Sequence, residues 1–229
     1  KGEEKSKFLD HVNAWSVVNG ESNLDSFIVG FRLGAKFTYD TFIRNAEALL
    51  KLLPEDVKLG LYECPYPYKR LVTPKILKWC LSTDRFYFIK DTCCDAPTIR
   101  KRIEICKGSN LKIFNANAQT LLPTLKNGCA GYCGVMANFH PELYARLWMM
   151  DRDSREASLL QDYLGLAATA ESLTYPCCAK DFLCRHRGIA METFARSADE
   201  RNYTPYQRGC IDQFAELSAH MTEYFKREV

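Results

Sequence analysis

Two side chains in this 229-residue chain are of the types, and at the spacing, that carbonyl chemistry needs. Lys90 closes the run Phe86-Tyr87-Phe88-Ile89, and Tyr62 closes Leu59-Gly60-Leu61. Lysine is rarely buried in apolar company without a partner, and a desolvated amine gives up its proton more readily. A neutral amine attacks a ketone, so a lysine ending an aromatic strand is a candidate Schiff-base nucleophile. A tyrosine emerging beside it can relay protons as the carbinolamine forms and as a carbon–carbon bond breaks. Each residue alone has an ordinary reading: a strand-end lysine snorkelling to solvent, and a core-edge tyrosine with a satisfied hydroxyl. The pair carries the expectation.

The elements that would position this pair alternate between short β-rich runs and longer amphipathic ones. Strands are expected at 27–31, 57–62, 86–89, 111–114 and 131–136. Helices are expected at 39–53, 73–81, 96–106, 118–125 and 141–150, from apolar residues recurring at helical spacing and from Pro and Gly at the ends. Strands apolar on both faces, each followed by a helix, belong in a parallel sheet covered by helices. An open doubly wound sheet usually carries a Gly-rich phosphate turn, and none of that pattern occurs here. A barrel puts its chemistry at the carboxyl ends of its strands. Polar residues fall there repeatedly: Tyr62, Lys90-Asp91-Thr92, Asn115-Ala116-Asn117 and Asn138. The expected fold is therefore α/β, a (β/α)8 TIM barrel over residues 1–150, its early strands missing or shortened. A helical region at 151–229 packs on it, with helices at 157–172, 178–187 and 204–226.

Asn115, Asn117 and Asn138 would line the mouth and bond substrate hydroxyls or carboxylates, together with Thr92; the bland alternative is turn chemistry, for which Asn is common. From Thr38 to Trp148, and more weakly to the C-terminus, the sequence resembles the dihydrodipicolinate synthase / N-acetylneuraminate lyase family of class I, Schiff-base aldolases. Tyr62-Glu63-Cys64-Pro65 is similar to the family's Tyr-Asn-x-Pro segment, and Phe88-Ile89-Lys90-Asp91-Thr92 to its Gly-x-Lys-Glu-x segment, whose lysine forms the imine. The separation 90 − 62 = 28 is also the family's. Leu111 to Asn117 stands where the family has a strand ending in Gly-Asp-Asp or Gly-x-Asp. The stretch from Gly128 to Leu143 is similar to its Gly-rich strand followed by Asn and Pro. The resemblance implies Lys90 as the imine lysine and Tyr62 as the proton shuttle, with no metal and no organic cofactor. It also departs from the family. Val18-Asn19-Gly20-Glu21-Ser22 is the nearest string to the hydroxyl turn that binds the oxo-acid carboxylate, and it lacks both hydroxyls. Pro67 stands where the family has an arginine; Lys69 and Arg70 follow, either of which could neutralise a substrate carboxylate, with Arg70 carried forward as the candidate.

The remaining composition excludes several classes. Net charge is +3, from 31 basic and 28 acidic residues without a dense basic run, so no nucleic-acid partner is expected. No stretch reaches the ~18 apolar residues of a membrane span. Eleven cysteines, odd in number and without paired Cys-x-x-Cys knuckles, read as reduced thiols of a cytoplasmic protein. The four histidines are scattered singly, so a metal is not expected. The expected function is a lyase or synthase joining or releasing a 2-oxo acid, such as pyruvate, and an aldehyde. A non-catalytic barrel that senses an oxo acid is the alternative. The resemblance further implies a homo-oligomer, a tetramer or dimer.

Overall fold

A computed structural model of the chain describes residues 39–65 and 69–227. The strand expected at 27–31, the turn at 18–22 and Pro67 lie outside the described residues. Among them, α1 (Tyr39–Leu50) precedes β1 (Leu59–Tyr62), and α2 (Pro74–Thr83) leads to β2 (Phe86–Asp91). Helix α3 (Ala96–Cys106) leads to β3 (Lys112–Asn115). A short 3-10 turn (Ala118–Thr120) and α4 (Leu121–Lys126) then lead to β4 (Gly131–Tyr132). The four strands form one parallel sheet in the order β1-β2-β3-β4. A doubly wound sheet reverses its strand order at a switch point. Strictly sequential parallel pairing with helical connections is instead the order of successive units in a (β/α) barrel, as expected.

The boundaries follow from local chemistry. Thr73 caps α2, accepting a hydrogen bond from the Ile76 amide at 3.3 Å, and Pro74 occupies the first turn where no donor is needed. Asp95 caps α3 in the same way, through the Thr98 amide at 2.9 Å. One expectation needs correction. The strand read at 131–136 stops at Tyr132, and Val135–Asn138 forms a 3-10 turn. A side chain at Gly134 would run into the Tyr132 hydroxyl and the Ala116 carbonyl, so the chain folds back tightly there. The β-rich letters that follow belong to that turn.

Beyond β4 the chain is helical: α5 (Pro141–Met149), α6 (Arg155–Ala167), α7 (Cys177–Arg187) and α8 (Pro205–Arg227), with a 3-10 turn at Ala168–Ser172. Buried apolar side chains gather in two clusters. The first, from Phe42 to Ile113, lies between the sheet and α1–α3, with Phe42 edge-on to Trp79 at 5.7 Å. The second runs from Ala118 to Phe225 and joins α4 and α5 to α6–α8. The helices after residue 150 are thus packed onto the last βα units through a shared core.

The two faces of the sheet differ. Leu61, Ile89, Asp91, Ile113 and Asn115 point to the helices and are buried. Tyr62, Phe88, Lys90 and Phe114 point the other way, three of them half-buried and Tyr62 exposed. Apolarity on both sides of the strands is therefore met by burial on one side only, among the described residues.

Candidate active site

Tyr62 ends β1, Lys90 is the penultimate residue of the adjacent parallel strand β2, and the two are direct register partners. Equal register on neighbouring strands puts side chains on the same face at the same height. The Lys90 Nζ lies over the Tyr62 ring, 4.5 Å from its centre. Lys90 is half-buried and Tyr62 keeps 37% of its surface open, so the pair is reachable from solvent. Phe114 is the next register partner of Lys90, and it packs on Phe88 at 4.9 Å. The amine therefore rises from a small aromatic floor made by β1, β2 and β3.

The other expected site residues separate into distinct places. Asn115 pairs with Asp91, one step beyond the level of Lys90, and so faces the helices. It is fully buried, and its amide donates to the hydroxyls of Thr120 and Thr124, both at 3.0 Å. Asn115 does not line the mouth. The Asn117 side chain caps the 3-10 turn, accepting from the Thr120 amide at 3.0 Å and hydroxyl at 2.9 Å. Its amide donates to Gln119 Oε1 at 2.6 Å. Thr92 is buried, and its hydroxyl donates to the Glu63 carbonyl at 2.6 Å, which ties the ends of β1 and β2 together. Asn138 is exposed in the turn after β4, donating to the Val135 carbonyl and to the Tyr175 hydroxyl at 3.2 Å. Arg70 lies half-buried between β1 and α2.

Three residues that sequence reasoning passed over lie directly behind the pair. Glu63 and Asp91 follow Tyr62 and Lys90, and both meet Arg102 of α3. The guanidinium reaches Glu63 Oε1 at 2.7 Å and the Val72 carbonyl at 2.8 Å, and its other nitrogen pairs with Asp91. Burial raises the Glu63 carboxyl above the ordinary carboxylate range, and the Arg102 charge pulls it back down. A fourth group belongs to the C-terminal region. Glu171, on the 3-10 turn Ala168–Ser172, has its carboxyl raised by the packing around it, with the Lys90 ammonium opposing that shift. Acidic letters at 63 and 91 next to the Tyr and Lys were the available signal. Neither Arg102, 39 residues from Glu63, nor Glu171 had a local one.

No family model matches the chain. A 4-hydroxy-tetrahydrodipicolinate synthase of Clostridium perfringens is 29% identical over 87 residues, which are 38% of this chain and 30% of the relative. The chain thus spans less than a third of the curated relatives it matches. Among solved structures, the sialic acid aldolase of Ruminococcus gnavus superposes with a TM-score of 0.76 at 13% identity, covering 92% of this chain and 69% of that one. The same aldolase has also been solved as a catalytic lysine mutant. The dihydrodipicolinate synthase of Acinetobacter baumannii, complexed with pyruvate, gives 0.72 at 14% identity, covering 85% and 66%. In fold, then, this is a (β/α)-barrel chain carrying consecutive units of the barrel and the helices that follow them. It is similar in sequence, over those 87 residues, to a dihydrodipicolinate synthase, and in fold to synthases and aldolases of the kind its sequence resembles.

Proposed function

We propose that this chain carries the imine-forming part of a class I aldolase or lyase acting on pyruvate or a related 2-oxo acid. The observation that carries the reading is the amine of Lys90 lying over the ring of Tyr62 at the carboxyl ends of paired strands. The relatives are named as a synthase and an aldolase, one of them solved with pyruvate, and the aldolase has a catalytic lysine. In the proposed reaction the neutral Lys90 amine adds to the keto carbon, and the carbinolamine loses water to give an imine. Tyr62 takes up and returns the protons of those steps. The imine tautomerises to an enamine, which adds to an aldehyde; the reverse sequence cleaves the bond. Loss of water from a keto-deoxy sugar acid is a variant of the same chemistry, and no metal or organic cofactor is required by it.

Arg70 is the proposed partner of the substrate carboxylate, and Asn138 with Tyr175 is proposed to border the aldehyde side. We keep the division into a barrel part at 1–150 and a helical cover at 151–229, whose shared core with α4 and α5 holds Glu171 near the amine. All eleven cysteines are free thiols, which suits a reducing, cytoplasmic setting. No helix among the described residues is long and apolar enough to cross a membrane. A homo-oligomer is proposed on the family resemblance, although one solved synthase is a monomeric variant.

Borohydride reduction in the presence of pyruvate tests the reading. A covalent adduct mapped to Lys90, absent from Lys90→Ala and slowed in Tyr62→Phe, is the expected result. Saturable pyruvate binding with no adduct would end the imine proposal in favour of a sensor of the oxo acid, and the absence of both adduct and binding would end either reading.

A further inference from the structure

The Tyr62–Lys90 contact depends on strand register, and backbone hydrogen bonds alone do not choose one register. A slip of one residue would turn both side chains to the helix face. A slip of two would keep the faces but move the phenol about 6.6 Å along the amine's strand. Something specific must hold β1 against β2 at their carboxyl ends. The residues that follow the pair supply it. Glu63 and Asp91 emerge on the helix face and are 2% and 0% exposed. Two buried carboxylates side by side repel each other and lose hydration, so the arrangement persists only with a cation between them. That cation is Arg102, itself 3% exposed.

The hydrogen bonds around it are directional and nearly complete. One guanidinium nitrogen donates to Glu63 Oε1 at 2.7 Å and to the Val72 carbonyl at 2.8 Å, and the other donates to Asp91 Oδ2. Glu63 Oε1 also accepts from the Val72 amide at 2.6 Å, and Oε2 accepts from the Thr92 amide at 2.9 Å. Asp91 Oδ1 accepts from the Cys93 amide at 2.9 Å. Every one of these bonds joins the tip of β1 to the tip of β2, or either tip to the chain around it. In the slipped registers one carboxylate leaves the fork and is buried without a partner.

We propose that Arg102 is the positioning residue of the Tyr62–Lys90 pair, its planar fork holding the carboxylates that directly follow each member. The fork sets the register in which phenol and amine share one face. Lysine cannot replace it, because an ammonium is a point charge without two fixed prongs. The catalytic consequence rests on the imine reading above, but the geometry does not.

The test uses the full chain with its lysines reductively methylated from labelled formaldehyde. The Lys90 resonance is assigned by its loss in Lys90→Arg, and its upfield ring-current shift by its collapse in Tyr62→Leu. In Arg102→Lys we expect a protein that still unfolds cooperatively but whose Lys90 resonance has moved most of the way to the Tyr62→Leu position. On the same variant left unmethylated, imine trapping at saturating pyruvate should slow by on the order of a hundredfold. The pyruvate concentration for half-maximal trapping should stay within about twofold. If Arg102→Lys does not fold, Glu63→Gln, which keeps the shape and removes the charge, takes its place with the same expectation. A folded variant whose Lys90 resonance stays where the parent has it overturns the proposal. Should the unmethylated parent protein itself trap no pyruvate, the imine reading falls, while the resonance of the methylated protein still decides whether Arg102 sets the pair.

Discussion

Beneath β1 and β2 the buried polar groups centre on three charged side chains, whereas around His140, among α5, α6 and α8, they are neutral. The first region sinks Glu63, Asp91 and Arg102 below the sheet. The second sinks His140, whose Nδ1 lies 3.1 Å from Ser218 Oγ, while Ser218 Oγ lies 2.6 Å from the Tyr163 hydroxyl. Around His140 stand the rings of Tyr144, Tyr163 and Phe214, at 5.4, 5.9 and 5.1 Å. Ion pairs have fixed directions and fail badly when one member is removed; aromatic packing with a neutral imidazole tolerates adjustment. The region behind the Tyr62–Lys90 contact uses the directional device, and the patch around His140 uses the tolerant one.

The largest expected effect breaks the charged region. Arg102→Met leaves two carboxylates facing each other without their cation, and should cost about 3–5 kcal/mol of unfolding free energy in urea. Adding Glu63→Gln to Arg102→Met removes one of the stranded charges and should recover part of that loss. A double variant no more stable than the single one would mean that lost packing of the long Arg102 side chain, not stranded charge, is what matters.

The neutral region should answer to pH instead. Burial pushes His140 down to about 4, with the Glu142 charge opposing and Arg187 adding. The imidazole is fully buried and its Nε2 has no hydrogen-bond partner, so a proton there would be a buried unpaired donor. The unfolded chain takes up that proton near pH 6.5 and the folded one does not until about pH 4. A depressed folded value therefore means that stability is fully present above about 6.5 and is lost as pH falls through that window, by on the order of 3 kcal/mol. His140→Phe keeps a ring in place and should flatten this part of the pH profile. A slope equally steep in His140→Phe would place the titration on another group.

Gly134 sharpens the comparison at the junction of the two regions. A methyl group there would collide with the Tyr132 hydroxyl and with the Ala116 carbonyl, and backbone cannot swing aside as a side-chain tip can. Tyr132 is itself stacked on Tyr144, with ring centres 3.9 Å apart. Gly134→Ala should therefore cost about 1–3 kcal/mol in chemical denaturation. It should change the Lys90–Tyr62 geometry little, because the turn reaches the charged region only through backbone, the Ala116 amide donating to the Asp91 carbonyl at 2.9 Å.

How much of this was legible in the letters follows the same division between local and distant causes. The helices were readable because their apolar spacing and their Pro and Gly ends are local, and α3 matches its expected span of 96–106. The Tyr62 and Lys90 pairing was readable because each closes an apolar run of letters and one βα unit separates them. Asn115 was not, since its facing depends on register: Phe114, not Asn115, is opposite Lys90. Strand β4 was overread because Val135 and Met136 look like strand, while the close approach at Gly134 that ends it is a tertiary contact. Arg102 was invisible because one arginine of the basic run Arg100-Lys101-Arg102 on an amphipathic helix shows its two partners only once β1 and β2 are side by side.

Helix caps supply the smallest effect and the control. Thr73 caps α2 in the charged region, and Ser154 caps α6 in the neutral one, accepting from the Ala157 amide at 3.0 Å. Each satisfies one amide that the first turn of a helix leaves open, and that cause is the same wherever the helix packs. Thr73→Ala and Ser154→Ala should each cost about 1 kcal/mol, measured side by side in urea. Equal costs would mean that the two regions report on one cooperative unfolding event, so the larger contrasts at Arg102 and His140 reflect buried charge against buried neutral groups. If Thr73→Ala alone were felt, or Ser154→Ala alone, the two clusters would be unfolding separately. The Arg102 and His140 effects would then have to be read from different transitions, since a residue contributes only to the unit in which it melts.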